Sequence, residues 1–341
     1  MDITVDIESL FDDSSNACKN DLVLADAGCI YRSCFEVWCK TTTRTLVEPI
    51  LSDSADYNSF KSFVKDAILA ELDNISGSKD VMMCIDSTSW RYKYYQDYKA
   101  GRSMSNGGVE VDKDAYRKLI DEVSDELADN GVKSVKIDKA EADDIIAVSA
   151  QTIGSNYDNV IIWSVDKDFN QLVNRNNVVR YDTISHRLFV PAVVKPELVS
   201  KFSGMQVQQV DAVESILSKI ISGDKSDNID SILKTTTNIG DAGAKKIIGL
   251  LTDKDYVGDR DAFKANLISE ACTYKKVDEG TYGKAVSDKI DLNIKLMSLN
   301  INDIDSDIVD TIKENVSGIE FKKYSHTKKA VAEEDYDFFN D

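Results

Sequence analysis

Short apolar runs bounded by polar turns recur through the N-terminal part of the chain. "DLVLADAGCI" reads as a buried strand ending at Asp26, followed by a turn at Gly28. "VMMCIDS" repeats the design with Asp86 at its exit, and "GVKSVKID" is a shorter third strand. "NVIIWSVDKDF" is a fourth, with Asp166 and Asp168 at its exit, and "VVRYDT" is a fifth. Between the strands the apolar period lengthens. "YNSFKSFVKDAILAEL" sets Phe60, Phe63, Val64, Ala67 and Ile68 on one helical face. Strands alternating with helices predict an α/β fold with a mainly parallel central sheet and flanking helices. After about Pro196 the strand signals fade, and the pattern reads as helices joined by Gly, Asp and Asn turns. The implied organisation is an acidic arm (1–20), an α/β core (21–195), a helical region (196–325) and an acidic tail (326–341).

Composition narrows the chemistry. The chain has 341 residues, 42% hydrophobic and 30% charged, which suits a globular protein with a sizeable core. No apolar run approaches the ~20 residues of a membrane span, and the acidic start lacks a signal-peptide pattern; a cytoplasmic protein is expected. The six cysteines form no CxxC pair, and His186 and His326 are the only histidines. Neither histidine has a motif around it, so both read as surface residues. Zinc sites and histidine-based nucleophilic catalysis are disfavoured.

The net charge of -19 argues against nucleic-acid binding unless a local basic stripe exists. "WRYKYYQDYKAGR" is such a stripe: Arg91, Lys93, Lys99 and Arg102 interleave with Trp90, Tyr92, Tyr94, Tyr95 and Tyr98. Basic groups bind phosphates and aromatic rings stack on bases. A helix with an aromatic core face and solvated lysines would give the same pattern.

The acids carry the sharper signal. In parallel sheets ligands bind beyond the carboxyl ends of the strands, where Asp26, Asp86, Asp166 and Asp168 would meet. Asp166 and Asp168 face the same way if their strand persists. "KAEADDIIAV" sets Glu141, Asp143 and Asp144 in the first turn of a helix opening onto that edge. Each acid alone has a local explanation in the helix dipole or a turn. Five or six together would repel strongly unless cations were present. Oxygen-only donors suit Mg²⁺ or Mn²⁺, and two such ions are the standard clamp for phosphodiester hydrolysis. "SGDKSDNIDSI" adds Asp224 and Asp227.

"EADD", "SVDKDF" and "GDKSDNI", in this order and at these separations, resemble the 5′-nuclease superfamily of flap endonucleases and phage 5′→3′ exonucleases. Within it the pattern is most similar to the ribonuclease H group of T-even-like phages. The resemblance covers roughly Asp21 to Ile319. It implies that Asp26, Asp86, Glu141, Asp143 and Asp166 surround a first Mg²⁺, and that Asp168, Asp224 and Asp227 hold or hydrate a second, with Mn²⁺ as a substitute. Asp144 would support the helix start. "YKAGR" resembles the family's arch signature, so Lys99 and Arg102 would contact the scissile phosphate, assisted by Arg91, in an arch over 88–131 whose tip is "SMSNGG". The return helix is expected from about Asp112 to Asn130.

"TNIGDAGAKKIIGLL" resembles the family's helix–turn–helix element. Gly240, Gly243, Lys245 and Lys246 would grip duplex backbone, while the missing Pro leaves a K⁺ site open. With Arg91, Lys93, Tyr95, Lys99 and Arg102 these form the expected DNA contacts. The acidic–aromatic arm Ile7 to Asp13, or the tail "EEDYDFFND", would tether a phage sliding clamp; a single-stranded DNA-binding protein is a further implied partner, and a monomer is expected. The implied activity is 5′→3′ cleavage of RNA–DNA hybrids, DNA duplexes and flaps, with RNA primer removal in phage replication as the role. A PIN-type endoribonuclease and a catalytically inactive DNA-binding protein of the same fold are the rival readings.

Overall fold

The computed structural model describes residues 20–43, 45–101, 110–173, 177–202, 204–235, 237–251 and 260–326. Seven strands form one sheet: β1 (Asp21–Asp26), β2 (Lys79–Ile85), β3 (Val132–Lys136), β4 (Val160–Trp163), β5 (Val178–Asp182), β6 (Arg187–Val190) and β7 (Gln206–Gln209). Their order is β3-β2-β1-β4-β5-β6-β7, parallel except for the β5–β6 pair. The chain leaves β1 for β2 on one side and later returns to place β4 on the other. That reversal opens a crevice at the carboxyl ends of β1 and β4.

The two faces of the sheet are sorted by the period-2 alternation of strand side chains. Val23, Ala25, Val81, Met83, Ile161 and Trp163 face α1 (Ala27–Thr41), α2 (Ser54–Asn74) and α3 (Lys113–Ala128). Leu22, Leu24, Met82, Cys84, Val160 and Ile162 face α4 (Ala142–Gln151) and, from far along the chain, α10 (Ser306–Ser317). On α2, Phe60, Val64, Ala67 and Ile68 are buried as the helical spacing predicts, whereas Phe63 is half-buried at the margin of the core. The helix α3 closely matches the expected return helix.

Two boundaries differ from the sequence reading. The sheet continues past Pro196: after β6 and the short helix α5 (Pro196–Val199), β7 forms its far edge. All four β7 residues are exposed, so no apolar pattern marks it. The helical region proper comprises α6 (Ala212–Ser222), α7 (Asp241–Leu250), α8 (Arg260–Lys275) and α9 (Glu279–Met297), packed around their own core of Ile216, Ile220, Ala244, Ile247, Leu267 and Ile290. From Leu299 onward the chain returns to the sheet. Leu299, Ile304, Ile308 and Ile312 join the α4 face, and Tyr324 Oη donates to the Leu69 carbonyl (3.2 Å) and to Asp73 (2.8 Å) on α2. Among the described residues no helix is long and apolar enough to cross a membrane.

Candidate active site

Each predicted acid is fixed by the turn that follows its strand. Asp26 ends β1 and caps α1, accepting from the Cys29 amide (3.2 Å) and from Ser164 Oγ (2.9 Å). Asp86 follows β2, and its Oδ1 accepts from the Ala142 amide (2.8 Å), which ties it to the start of α4. A Cβ on Gly28 would lie 3.0 Å from Asp86 Oδ2 and 3.5 Å from Asp26 Oδ1. The absent side chain therefore leaves both carboxylates room above the helix start. Asp166 and Asp168 meet by a different route from the one expected. The strand stops at Trp163, and Asp166 caps a 3-10 helix, Lys167–Leu172, by accepting from the Asp168 amide (2.9 Å). A capping turn, not strand periodicity, sets the pair. Glu141 is likewise the N-cap of α4 rather than a first-turn residue, while Asp143 and Asp144 occupy the first turn.

The electrostatics divide the cluster. Burial pushes Asp26 up to about 6, with Asp86 adding repulsion. Burial also raises Asp143 well above the usual carboxylate range, and Asp26 and Asp166 reinforce it. Asp168 is pushed up to about 6 by burial and by Asp166, although Lys219 sits 2.8 Å away. Glu141 goes the other way. Burial works against its charge, but Arg91 (2.8 Å) and Lys99 prevail and hold it down at about 2. Asp224 is also held at about 2, against burial, by Lys219 and Ser226. Asp227 is buried, 3.4 Å from Ser226 Oγ.

Among the described residues no three acidic, histidine or cysteine side chains are drawn tightly enough together to enclose an ion as they stand. Their chemistry nonetheless fits a hard divalent cation. All the donors are carboxylate oxygens, and the charged forms of Asp26, Asp143 and Asp168 are disfavoured by burial and like charge. The histidines take no part: His326 pairs with Asp73 (2.8 Å) and His186 lies beyond β5, each half-buried rather than fully on the surface.

A family model described as "5'-3' exonuclease, N-terminal resolvase-like domain" matches residues 22–203, which is more than half of the chain. The chain belongs to this 5′-3′ exonuclease family. Flap endonuclease Xni of Psychromonas ingrahamii is 26% identical over 207 residues, covering 59% of this chain and 71% of that protein. Flap endonuclease Xni of Shewanella woodyi is 37% identical over 97 residues, covering 28% and 35%. Ribonuclease H of Enterobacteria phage T4 is 29% identical over 179 residues, covering 51% and 52%. The matches thus span from about a third to about seven-tenths of these relatives. A pseudo-enzyme–product complex of the phage T5 D15 flap endonuclease with DNA and metal ions covers 87% of this chain and 98% of its own, with a TM-score of 0.55 at 16% identity. At that identity the likeness speaks for the fold.

Several expected DNA contacts of this 5′-3′ exonuclease family member are placed otherwise. Arg91 is 2% exposed and does not face solvent. Its Nη atoms bind Asp144 at 2.8 and 3.0 Å and Glu141 at 2.8 Å, and its Nε donates to the Leu296 carbonyl (2.8 Å). Trp90 Nε1 also donates to Asp144 (3.0 Å). Asp144 in turn accepts from the Glu141 amide (3.0 Å), the helix-start role expected of it. A guanidinium so committed cannot reach a phosphate. Tyr95 gives its hydroxyl to the Asn228 carbonyl (2.9 Å). Gly243 is buried, not at a DNA-facing surface: a Cβ there would meet Tyr274 Oη at 2.7 Å, and its amide donates to Gly240 (2.8 Å). It is a packing glycine between α7 and α8. Gly240 caps α7, and Lys245 and Lys246 are exposed on that helix. Lys93 is largely exposed, 3.4 Å from Asp305. Arg102, the arch tip at 103–108, Ile7 to Asp13 and the tail lie outside the described residues.

Three contributors were missed. Ser164 links two acids: its Oγ donates to Asp26 and accepts from the Asp166 amide (3.0 Å). Lys219 bridges Asp168 and Asp224; a lysine one turn before "GD" was the available signal. Arg180 is fully buried behind them, donating to Asn170 (2.8 Å) and the Ser164 carbonyl (3.1 Å) and stacked 3.7 Å from the Phe189 ring centroid. A cation inside the apolar run "VVRYD" was the clue.

Proposed function

We propose that this protein is a divalent-metal-dependent, structure-specific 5′ nuclease that hydrolyses phosphodiesters near a 5′ end. Its substrates would be DNA flaps, DNA duplexes and RNA–DNA hybrids, and its role RNA primer removal in phage replication. The observation that carries the reading is the acidic strand-end crevice, with Asp26, Asp143 and Asp168 raised by burial and mutual repulsion, in a chain of the 5′-3′ exonuclease family. Asp26, Asp86, Asp143 and Asp166 would hold one Mg²⁺, with Glu141, expected in that set, held instead by Arg91 and Lys99, and Asp168, Asp224 and Asp227 would hold a second. Bound there, the ions would supply Lewis-acid activation of water and neutralise charge at the scissile phosphate.

The protein's own groups do the rest. Ser164 orients Asp26 and the Asp166 turn together. Glu141 is engaged by Ser89, Arg91, Tyr98 and Lys99, so it serves first to aim the Lys99 ammonium at the crevice. Lys99, half-buried beside the acids, can turn from Glu141 to an incoming phosphate and steady developing negative charge. Gly240, Lys245 and Lys246 would hold duplex backbone, with K⁺ as an auxiliary ion, and the acidic arm at Ile7 to Asp13 would dock a sliding clamp. Substrates named for the phage and bacterial relatives, a ribonuclease H and flap endonucleases, favour this range.

The test is a 5′-labelled DNA flap and a 5′-labelled RNA–DNA hybrid incubated side by side with Mg²⁺ and with EDTA. Cleavage of both only with Mg²⁺, and its near-loss in Asp166→Asn with DNA binding kept, is the expected result. Normal cleavage by Asp166→Asn refutes the assignment of the acids.

A further inference from the structure

Residues 95–99, the base of the expected arch, and the loop carrying Asp224 and Asp227 come from distant parts of the sequence, yet three hydrogen bonds join them. The Lys99 amide donates to the Asp227 carbonyl (2.9 Å), Asn228 Nδ2 to the Asp97 carbonyl (3.2 Å), and Tyr95 Oη to the Asn228 carbonyl (2.9 Å). The loop is closed on itself by reciprocal Asp224–Ile229 backbone bonds of 2.8 and 2.7 Å. Lys99 (φ 56°) and Asn228 (φ 62°) both sit in the left-handed region, which an Asn tolerates better than most residues and a Lys tolerates poorly. Beneath the seam Tyr98, Ile229, Leu296 and Met297 form a separate small core, with Tyr95 and Leu292 packed against it. Asn228 itself is exposed, so packing does not explain its identity; its backbone conformation and its amide donor do.

We propose that Asn228 and Tyr95 are positioning residues: a latch that makes the arch base and the second acidic loop one unit, so that Lys99 keeps a fixed place relative to Asp224 and Asp227. The proposal rests on the nuclease reading of this site. It reassigns Tyr95 from DNA stacking to support, and it explains why a lysine in the crevice accepts a strained backbone. Displacement of the loop shifts the lysine with it, and misplacement by about 1 Å is enough to cost up to a hundredfold in rate.

The test uses the full chain with Tyr95→Phe, Asn228→Gly and the double substitution. Asn228→Gly keeps the left-handed backbone and removes the amide donor. Asn228→Asp, which keeps the backbone preference and exchanges donor for acceptor, serves as a second variant and must behave alike. Amide hydrogen exchange is measured first, in EDTA. Tyr95→Phe is expected to speed exchange across 224–229, and Asn228→Gly across 97–101, by about three- to tenfold, the worth of one net hydrogen bond. Flap cleavage with saturating Mg²⁺ is then expected to lose about tenfold in kcat with KM within about twofold, and the double variant to be no slower than the slower single one. Exchange that changes only in the element mutated, or rate losses that multiply independently, overturns the latch. A Tyr95→Phe effect confined to KM also overturns it and returns that ring to the DNA surface. If the unmodified chain cleaves no flap, the nuclease reading fails, while the exchange data still decide the latch.

Discussion

The acidic edge has two banks, and the protein treats them oppositely. On one bank, Glu141 and Asp144 are buried and supplied with their own counter-charges: Arg91 grips both, and Lys99 adds to Glu141. On the other, Asp26 is buried and Asp143 half-buried, and both are raised by burial; Asp86 adds to Asp26, and Asp26 and Asp166 add to Asp143, which Lys99 offsets only in part. Asp168 and Asp224 share Lys219, yet Asp168 is still raised while Asp224 is depressed. The difference separates two uses of a buried carboxylate. A carboxylate with an internal guanidinium already has its counter-charge and anchors an element. A carboxylate left without one is disfavoured in its charged form, and a proton or a cation from solution relieves it.

The sharpest way to break the comparison is to neutralise one acid from each bank. Asp143→Asn is expected to lower flap cleavage on the order of ten-thousand-fold, yet to leave the melting temperature in EDTA unchanged or higher, since it removes a carboxylate whose charged form burial and Asp26 and Asp166 disfavour. Asp144→Asn is expected to unfold the protein more easily, by about 3–5 kcal/mol, because it leaves the Arg91 guanidinium buried without its bidentate partner. Chemical denaturation in EDTA, run beside the cleavage assay, reads both. Equal losses of stability in the two variants would erase the distinction between the banks. Arg91→Met approaches the structural bank from the cation side and is expected to cost a similar amount, about 3–5 kcal/mol.

A pH series sharpens the same contrast with smaller effects. Asp26 and Asp168 have folded-state pKa values of about 6 against the ordinary 3.8. The folded state binds those protons more tightly than the unfolded chain, so their contribution is fully present below about pH 4 and is lost as pH rises through about 6. Glu141 and Asp224, held at about 2, contribute above about pH 4 and lose that contribution only as pH falls towards 2. Of these four acids, only Asp26 and Asp168 titrate between pH 5 and 7.5. In EDTA the melting temperature is expected to be higher at pH 5 than at 7.5, by roughly 5 °C. Millimolar Mg²⁺ is expected to close that gap by favouring the ionised forms at pH 7.5. A gap that Mg²⁺ leaves untouched would mean that these acids do not bind it.

Much of this arrangement was legible in the chain because local signals and global placement agreed. Asp26 and Asp86 end apolar strands, and the alternation of strands and helices fixes which end of the sheet they share. The parallel sheet follows from the same alternation, whereas the return helix and the role of Asp144 came from the family resemblance. Arg91 was misread for a definable reason. In "WRYKYYQDYKAGR" its spacing matches the exposed Lys93, and only the long-range meeting with Asp144 and the Leu296 carbonyl shows that it points inward. The strand β7 was invisible because all its side chains are exposed. The return of residues after Leu299 to the sheet was invisible because an amphipathic helix such as α10 records that it has a buried face, not which core receives it. The latch at Asn228 lay in a motif read for its acids alone.

The smallest expected effect bears most directly on how the cation-demanding bank is shaped. Gly28 sits in the first turn of α1, and nothing in its backbone requires glycine: its φ is not in the left-handed region. Alanine there should improve helix propensity by up to about 1 kcal/mol. Its Cβ, however, would stand 3.0 Å from Asp86 Oδ2 and 3.5 Å from Asp26 Oδ1. The first is closer than most real Cβ contacts, and Asp86 is not free to swing far, because its other oxygen holds the Ala142 amide at 2.8 Å. Gly28→Ala is therefore expected to fold as well as the unmodified chain, to within about 1 kcal/mol, and to bind Mn²⁺ several-fold more weakly in a direct titration, with no change at Arg91, Glu141 or Asp144. Unaltered Mn²⁺ affinity would mean that Asp26 and Asp86 do not need the space above that helix start, and the metal would then have to be sought nearer Asp168.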